Sequence, residues 1–169
     1  DGKSLVYVKG SGTNTDLFLL RVGGRNPVNL TADSTADDRQ PAFSPDGERI
    51  AFRSERDGGG VFLMAASGES VTRLTDQGYH PNWSPEGSRI VVSPITFVSP
   101  SGIQGEITGL SIVDVKSGQV RALPLKARAL QPAWSPDGSR IAYWSVRGRT
   151  GQRDLWTVAA DGSDAASGG

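Results

Sequence analysis

One segment recurs along this chain, and it limits what the chain can fold into more than any other feature. Residues 40–54 read QPAFSPDGERIAFRS, residues 80–93 read HPNWSPEGSRIVVS, and residues 131–145 read QPAWSPDGSRIAYWS. The first residues, DGKSLVYV, are the same segment entered partway through. The acidic residue–glycine pairs begin at Asp1, Asp46, Glu86 and Asp137, with separations of 45, 40 and 51 residues. That spacing is within or near the roughly 40–50 residues of one propeller blade.

Each unit has a second half. LFLLRVGG (17–24) precedes NPVNLT (26–31), and VFLMAASGES (61–70) precedes VTRLT (71–75). LSIVDVKSGQ (110–119) precedes VRALPL (120–125), whereas LWTVAADGS (155–163) has little after it. One unit therefore reads as four short strands. Pro45 and Pro136 preset φ for a turn, and Asp-Gly supplies the residue that tolerates positive φ. Ile50 and Phe52, like Ile141 and Tyr143, place β-branched and aromatic side chains two apart on one strand face. Ala51 and Ala142 lie between them, as suits a strand packed on both faces.

No helical periodicity occurs, so the expected class is all-β. A four-stranded sheet of about 40 residues cannot bury both of its faces alone, whereas radial stacking of such sheets does so. The expectation is a β-propeller with blades of four antiparallel strands at about 1–31, 40–75, 80–125 and 131–169. A linear solenoid is the alternative, although its repeats are usually shorter. Glycine, at 22 of 169 residues, is about twice its usual share and has no G-X-Y period, which excludes collagen and fits a chain that turns often.

Charge excludes further classes. Eighteen basic residues balance eighteen acidic ones with no basic run, so nothing favours nucleic acid or an anionic membrane. No apolar stretch is long enough to insert in a bilayer as a helix. The chain has no cysteine, so disulfides, thiolate metal sites and a cysteine nucleophile are excluded.

The segments SPDGERIAF, SPEGSRIVV and SPDGSRIAY resemble the WD-like repeat of TolB-like β-propellers, a repeat shared with the propellers of prolyl oligopeptidase and tricorn-type peptidases. The resemblance covers nearly the whole chain. It implies that the runs holding Phe43, Trp83 and Trp134 are innermost strands lining a central channel, with the Leu-Thr runs outermost. It also implies a bacterial envelope setting, periplasmic or otherwise extracytoplasmic, and protein or peptide partners. On this mapping the first blade lacks its innermost strand and the last lacks an outer one. About three and a half blades are present, so the expectation is part of a longer propeller. The alternative is a small propeller closed within the chain or by self-association. Unmatched strand edges expose backbone groups, which predicts pairing with another chain or with further blades.

Catalytic chemistry finds little support. The nucleophile elbow G-x-S-x-G is absent, and His80 is the only histidine. It occupies the slot of Gln40 and Gln131, so a repeat position explains it. Zinc would need Cys/His clusters. Asp33, Asp37 and Asp38 are the one acidic cluster and read as a solvated loop. Asp46, Glu86 and Asp137 share one turn position, which a structural need explains. Gly58-Gly59-Gly60 lacks the Lys and Ser/Thr of a phosphate loop and reads as a flexible connection. No catalytic residue, metal site or cofactor is therefore assigned. Arg49, Arg89 and Arg140 recur after the turn as scaffold groups pairing or packing between blades. Trp83, Trp134 and Trp156 read as core, and Trp144 as more exposed.

Function in such folds lives in loops on a rigid scaffold. The residues before each inner strand, Arg39 and Gln40, Tyr79 and His80, and Leu130 and Gln131, are the candidate channel mouth. The loops 54–60, 94–109 and 146–153 share that rim. In 94–109, Ile95, Phe97 and Val98 would dock a partner or belong to an extended hairpin. In 146–153, Arg147 and Arg149 would meet an acidic partner or remain solvated. Three functions stay open: a non-enzymatic interaction module of the TolB-like type, the non-catalytic gating propeller of a prolyl oligopeptidase-like peptidase, or the sensory domain of a bacterial kinase or regulator.

Overall fold

The repeated Ser-Pro-Asp/Glu-Gly turn closes the same way at each of its three full copies. In the first, Ser44 Oγ accepts a hydrogen bond from the Arg49 amide at 2.9 Å, and the Gly47 amide donates to the Ser44 carbonyl at 2.9 Å. Ser84 with Arg89 and Ser135 with Arg140 repeat the first bond at 3.0 and 2.9 Å. Gly47 sits at φ 75°, the left-handed region that a Cβ would penalise. The serine hydroxyl thus caps the tight reversal from one strand to the next.

These turns and the apolar runs between them build four antiparallel sheets in a computed structural model that describes residues 2–11, 14–94, 109–123, 125, 128–147 and 152–165. The first sheet holds β1 (Ser4–Ser11), β2 (Asn14–Arg21) and β3 (Val28–Asn29) in that order. The second holds β4 (Asp38–Phe43), β5 (Arg49–Ser54), β6 (Gly60–Ala65) and β7 (Thr72–Thr75). The third runs β8 (Tyr79–Trp83), β9 (Arg89–Ser93), β10 (Leu110–Asp114) and β11 (Val120–Leu123). The fourth has β12 (Leu130–Trp134), β13 (Arg140–Arg147) and β14 (Gln152–Ala159). Among the described residues the only helical element is a 3-10 turn at Arg56–Gly58. The all-β, blade-like architecture read from the repeat is the one observed. So are the first sheet without an inner strand and the fourth without an outer one among the described residues.

The chain divides into two units, Asp1–Gln77 and Gly78–Gly169, and each is organised alike. In the first unit, Ile50 and Phe52 of β5 stand opposite Met64 and Phe62 of β6, and this front face packs on Leu17 with Val6 and Leu19, the back face of the first sheet. In the second, Ile141, Tyr143 and Val158, with Trp156, pack on Val91, Leu110 and Ile112, the back face of the third sheet. The period-two alternation explains both layers: residues i and i+2 of a strand share a face. Arg89 tightens the second layer, its guanidinium lying 4.8 Å from the Trp134 ring centroid, as expected of an arginine that packs between blades. Arg140 differs, bonding within its own sheet to Thr157 and ion-pairing with Asp164 at 2.9 Å.

Two local readings are corrected by packing. Asp37 and Asp38 do not belong to a solvated loop. Asp38 opens β4 fully buried, and Asp37 accepts hydrogen bonds from the Thr15 amide and hydroxyl at 2.9 and 2.8 Å. Gly60 is no flexible connection either. It begins β6 at φ 148°, so close to β7 that a Cβ would overlap the Thr75 carbonyl oxygen.

Candidate functional site

Gln40, His80 and Gln131 occupy one repeat slot, and all three are in the left-handed region, at φ 54°, 52° and 46°. Non-glycine residues rarely adopt this conformation, and it costs about 1–3 kcal/mol where packing imposes it. Here the cause is visible in the ladder. The pairing of β4 with β5 shifts register between Arg39 and Ala42, β8 with β9 between Tyr79 and Asn82, and β12 with β13 between Leu130 and Ala133. Pro41, Pro81 and Pro132 follow the left-handed residue each time. Proline cannot donate to the ladder, so it falls where the strand bulges.

The bulge sets the candidate side chains apart from the core. Gln40, Tyr79 and His80 are half-buried, and Arg39 and Gln131 are exposed. Arg39 is held by Asp37 at 2.9 Å and by Thr15 Oγ1 at 3.1 Å. Burial pushes the His80 imidazole below its ordinary value of 6.5, which keeps it neutral near pH 7. Leu130 stands apart from the other five. It is only 3% exposed and belongs to the interior. Within the second unit, Gln131 Oε1 accepts a hydrogen bond from Trp144 Nε1 at 2.8 Å, and the Arg153 guanidinium lies 5.0 Å from the Trp144 ring centroid. A cleft of about 400 Å³ lies beside them, lined by Gln131, Trp144, Arg153, Asp154 and Leu155.

The residues of this slot are legible in the sequence, and their left-handed conformation is not. The signal was available as the Gln/His-Pro dipeptide at the head of each inner strand. Trp144 is half-buried, and its bond to Gln131 ties the second strand to the bulge. Ile95, Phe97, Val98 and Arg149 lie outside the described residues, and of Arg147 only the backbone at the end of β13 is described. Among the described residues no group of three or more His, Asp or Glu side chains is placed to hold a metal ion.

The family model described as the TolB beta propeller domain matches residues 1–167. The chain belongs to that family. It is 27% identical to the Tol-Pal system protein TolB of Francisella tularensis subsp. mediasiatica, over 97% of this chain and 48% of that protein. It is 28% identical to the uncharacterized peptidase YuxL of Bacillus subtilis, over 85% of this chain and 28% of that one. The solved structure of a putative TolB from Agrobacterium tumefaciens superposes with a TM-score of 0.71 at 27% identity, over 88% of this chain and 52% of that one. This TolB-family chain thus spans about half or less of these relatives' length.

Proposed function

We propose that this TolB-family chain is a non-enzymatic protein-interaction module, binding an extended segment of a protein partner through the bulged heads of its inner strands. The left-handed backbone shared by Gln40, His80 and Gln131 carries this reading. A strained conformation repeated at one slot of three sheets, with a polar side chain at each copy, marks a presented site better than a packing position. Arg39 and Gln40 in the first unit, and Tyr79, His80 and Gln131 in the second, each supply donors and acceptors suited to peptide backbone and side chains. The similarity to TolB of the Tol-Pal system agrees with a protein partner.

The test starts from peptides selected against the folded chain by phage display. Their affinity is measured by calorimetry for the parent chain and for Gln40→Ala, His80→Ala and Gln131→Ala. A loss of tenfold or more in at least two variants, each with an unchanged melting temperature, supports the rim. Affinity unchanged in all three removes it.

The similarity to YuxL favours one second reading, a propeller that filters access to a separate hydrolase. Partner segments would then reach the rim as substrates. A parent protein that cleaves short peptides, and cleaves long ones once the rim residues are replaced, distinguishes this from a binding module.

A further inference from the structure

Five Asp-Gly pairs punctuate the chain, and the aspartate is described in four of them, Asp46, Asp57, Asp137 and Asp161. In three of the four the carboxylate is tied to the backbone two residues on. Asp46 Oδ1 accepts a hydrogen bond from the Glu48 amide at 3.0 Å, Asp137 Oδ1 from the Ser139 amide at 3.0 Å, and Asp161 Oδ1 from the Ser163 amide at 2.9 Å. The Ser44 and Ser135 hydroxyls add further donors to Asp46 and Asp137. Such a turn fixes the side chain on the second amide and holds it off the glycine nitrogen that lies between. The same bonds favour the ionised carboxylate. The Ser135 hydroxyl and the Ser139 amide hold Asp137 down at about 2, while the Ser44 hydroxyl holds Asp46, and the Ser163 amide Asp161, below the ordinary value.

Asp57 is the exception. It is exposed, and among the described residues no donor reaches its carboxylate. Its backbone is in the left-handed region at φ 52° and ψ 34°, inside a 3-10 turn only three residues long. Gly58 follows at φ 87°, and a Cβ there would meet nothing within 4 Å, so the turn has room to rotate. The Asp57 carboxyl thus lacks the restraint that holds the other three.

We propose that Asp57-Gly58 is a covalent modification site, at which aspartate converts to isoaspartate in the folded chain. The Gly58 amide nitrogen attacks Cγ of the protonated Asp57 carboxyl. A C–N bond forms, the nitrogen gives up its proton, and a carboxyl oxygen leaves as water, closing a succinimide ring. Water then adds to one of the two ring carbonyls and breaks its bond to nitrogen. Opening at the side-chain carbonyl restores aspartate. Opening at the main-chain carbonyl leaves the chain running through Cγ, with a free α-carboxylate at residue 57. One water leaves and one returns, and no oxidant, reductant or cofactor takes part.

Position gives the change a structural effect. The new linkage puts an extra carbon into the main chain between β5 and β6, directly after Arg56. The Arg56 amide donates to Ser54 Oγ at 3.2 Å, and the Arg56 carbonyl accepts from the Gly59 amide at 2.9 Å. From that place the guanidinium reaches the buried Asp38 carboxylate at 2.7 Å. Lengthening the turn beside it loosens this pair, so the isoaspartyl chain is less stable than the parent. The inference does not depend on the rim.

The full chain is incubated folded at neutral pH, and peptide mapping with electron-transfer fragmentation follows each Asp-Gly pair over time. Conversion is expected at Asp57 ahead of Asp46, Asp137 and Asp161. In guanidinium chloride, where the protecting turns are lost, the four convert at similar rates. Gly58→Ala slows conversion at residue 57 by about tenfold, because its Cβ crowds the attacking nitrogen. Asp57→Glu abolishes it, because the longer side chain closes a less favourable ring. The isoaspartyl chain, separated by chromatography, melts at a lower temperature than the parent. A folded chain in which Asp57 converts no faster than the other three overturns the proposal, as does a preference for Asp57 that persists unchanged on unfolding. An isoaspartyl chain as stable as the parent overturns the effect assigned to Arg56.

Discussion

Asp38 and Arg56 form an ion pair at 2.7 Å in which the carboxylate is completely buried. Arg56 lies over two aromatic rings, 5.4 Å from the Phe52 centroid and 5.4 Å from that of Phe62, and its Nε donates to Ser54 Oγ at 2.8 Å. One guanidinium thus joins the inner strand, the second strand and the connection to the third. Asp38 Oδ1 accepts no hydrogen bond, so the acid depends on Arg56 through its other oxygen.

Arg56→Ala is therefore expected to cost about 2–3 kcal/mol at pH 7. The loss falls below the ~3–5 kcal/mol of a fully enclosed pair because the arginine side chain is 20% exposed. Burial raises the Asp38 carboxyl, against the pull of Ser54 and Arg56. The folded state of the variant then holds a proton more readily than the unfolded chain, and stability falls as pH rises through that raised value. The penalty should shrink as pH falls towards the ordinary carboxyl value of 3.8. Urea unfolding at neutral and mildly acidic pH reads both effects, and a penalty independent of pH contradicts the assignment.

His80→Gln probes the rim slot without disturbing it, because glutamine holds the same left-handed conformation at Gln40 and Gln131. Burial depresses the imidazole below 6.5, so the unfolded chain takes up a proton first as pH falls. The His80 contribution is complete above that value and is lost as pH drops through it towards the folded value. The parent chain should lose more stability than His80→Gln between slightly alkaline and mildly acidic pH, with the two near equal at the alkaline end. Melting curves across that range decide the matter.

Gly60→Ala and Gly58→Ala separate close packing from simple flexibility. Both glycines have positive φ, but a Cβ at Gly58 meets nothing within 4 Å, whereas at Gly60 it meets the Thr75 backbone. Gly58→Ala should cost about 1–2 kcal/mol from conformation alone. Gly60→Ala should cost more and weaken the β6–β7 pairing. Denaturant midpoints rank the two, and amide exchange at Val61 and Thr75 locates the damage; equal costs would argue against the close approach.

The slot shared by Ile50 and Leu5 offers a matched pair. Ile50→Ala should destabilise by about 2–5 kcal/mol, since it opens a cavity between the first and second sheets. Leu5→Ala, on an open face, should stay within about 0.5 kcal/mol in the monomer. Chemical denaturation at low protein concentration compares them. A large cost at Leu5 under those conditions would mean that its face is already covered.

Much of this architecture was legible before any coordinates. Ser-Pro-Asp-Gly specifies a reversal through local chemistry alone, a serine hydroxyl and a residue tolerant of positive φ, and Ile-x-aromatic specifies a strand face. The polar stretch around Asp38 reads as loop in the sequence, because no neighbour there accounts for a buried acid. Arg56, eighteen residues later, does. Gly60 reads as slack in the sequence, because only β7 reveals what presses on it.

The residues themselves determined the strands, the turns and the repeat, because these depend on contacts within a few positions of the chain. Tertiary structure decided which copy of a slot is buried. Val61 and Leu155 stand at one position of one motif, at 0% and 78% exposure. A strand's alternation says that a face is apolar, and only the packing of sheets says whether anything lies against it.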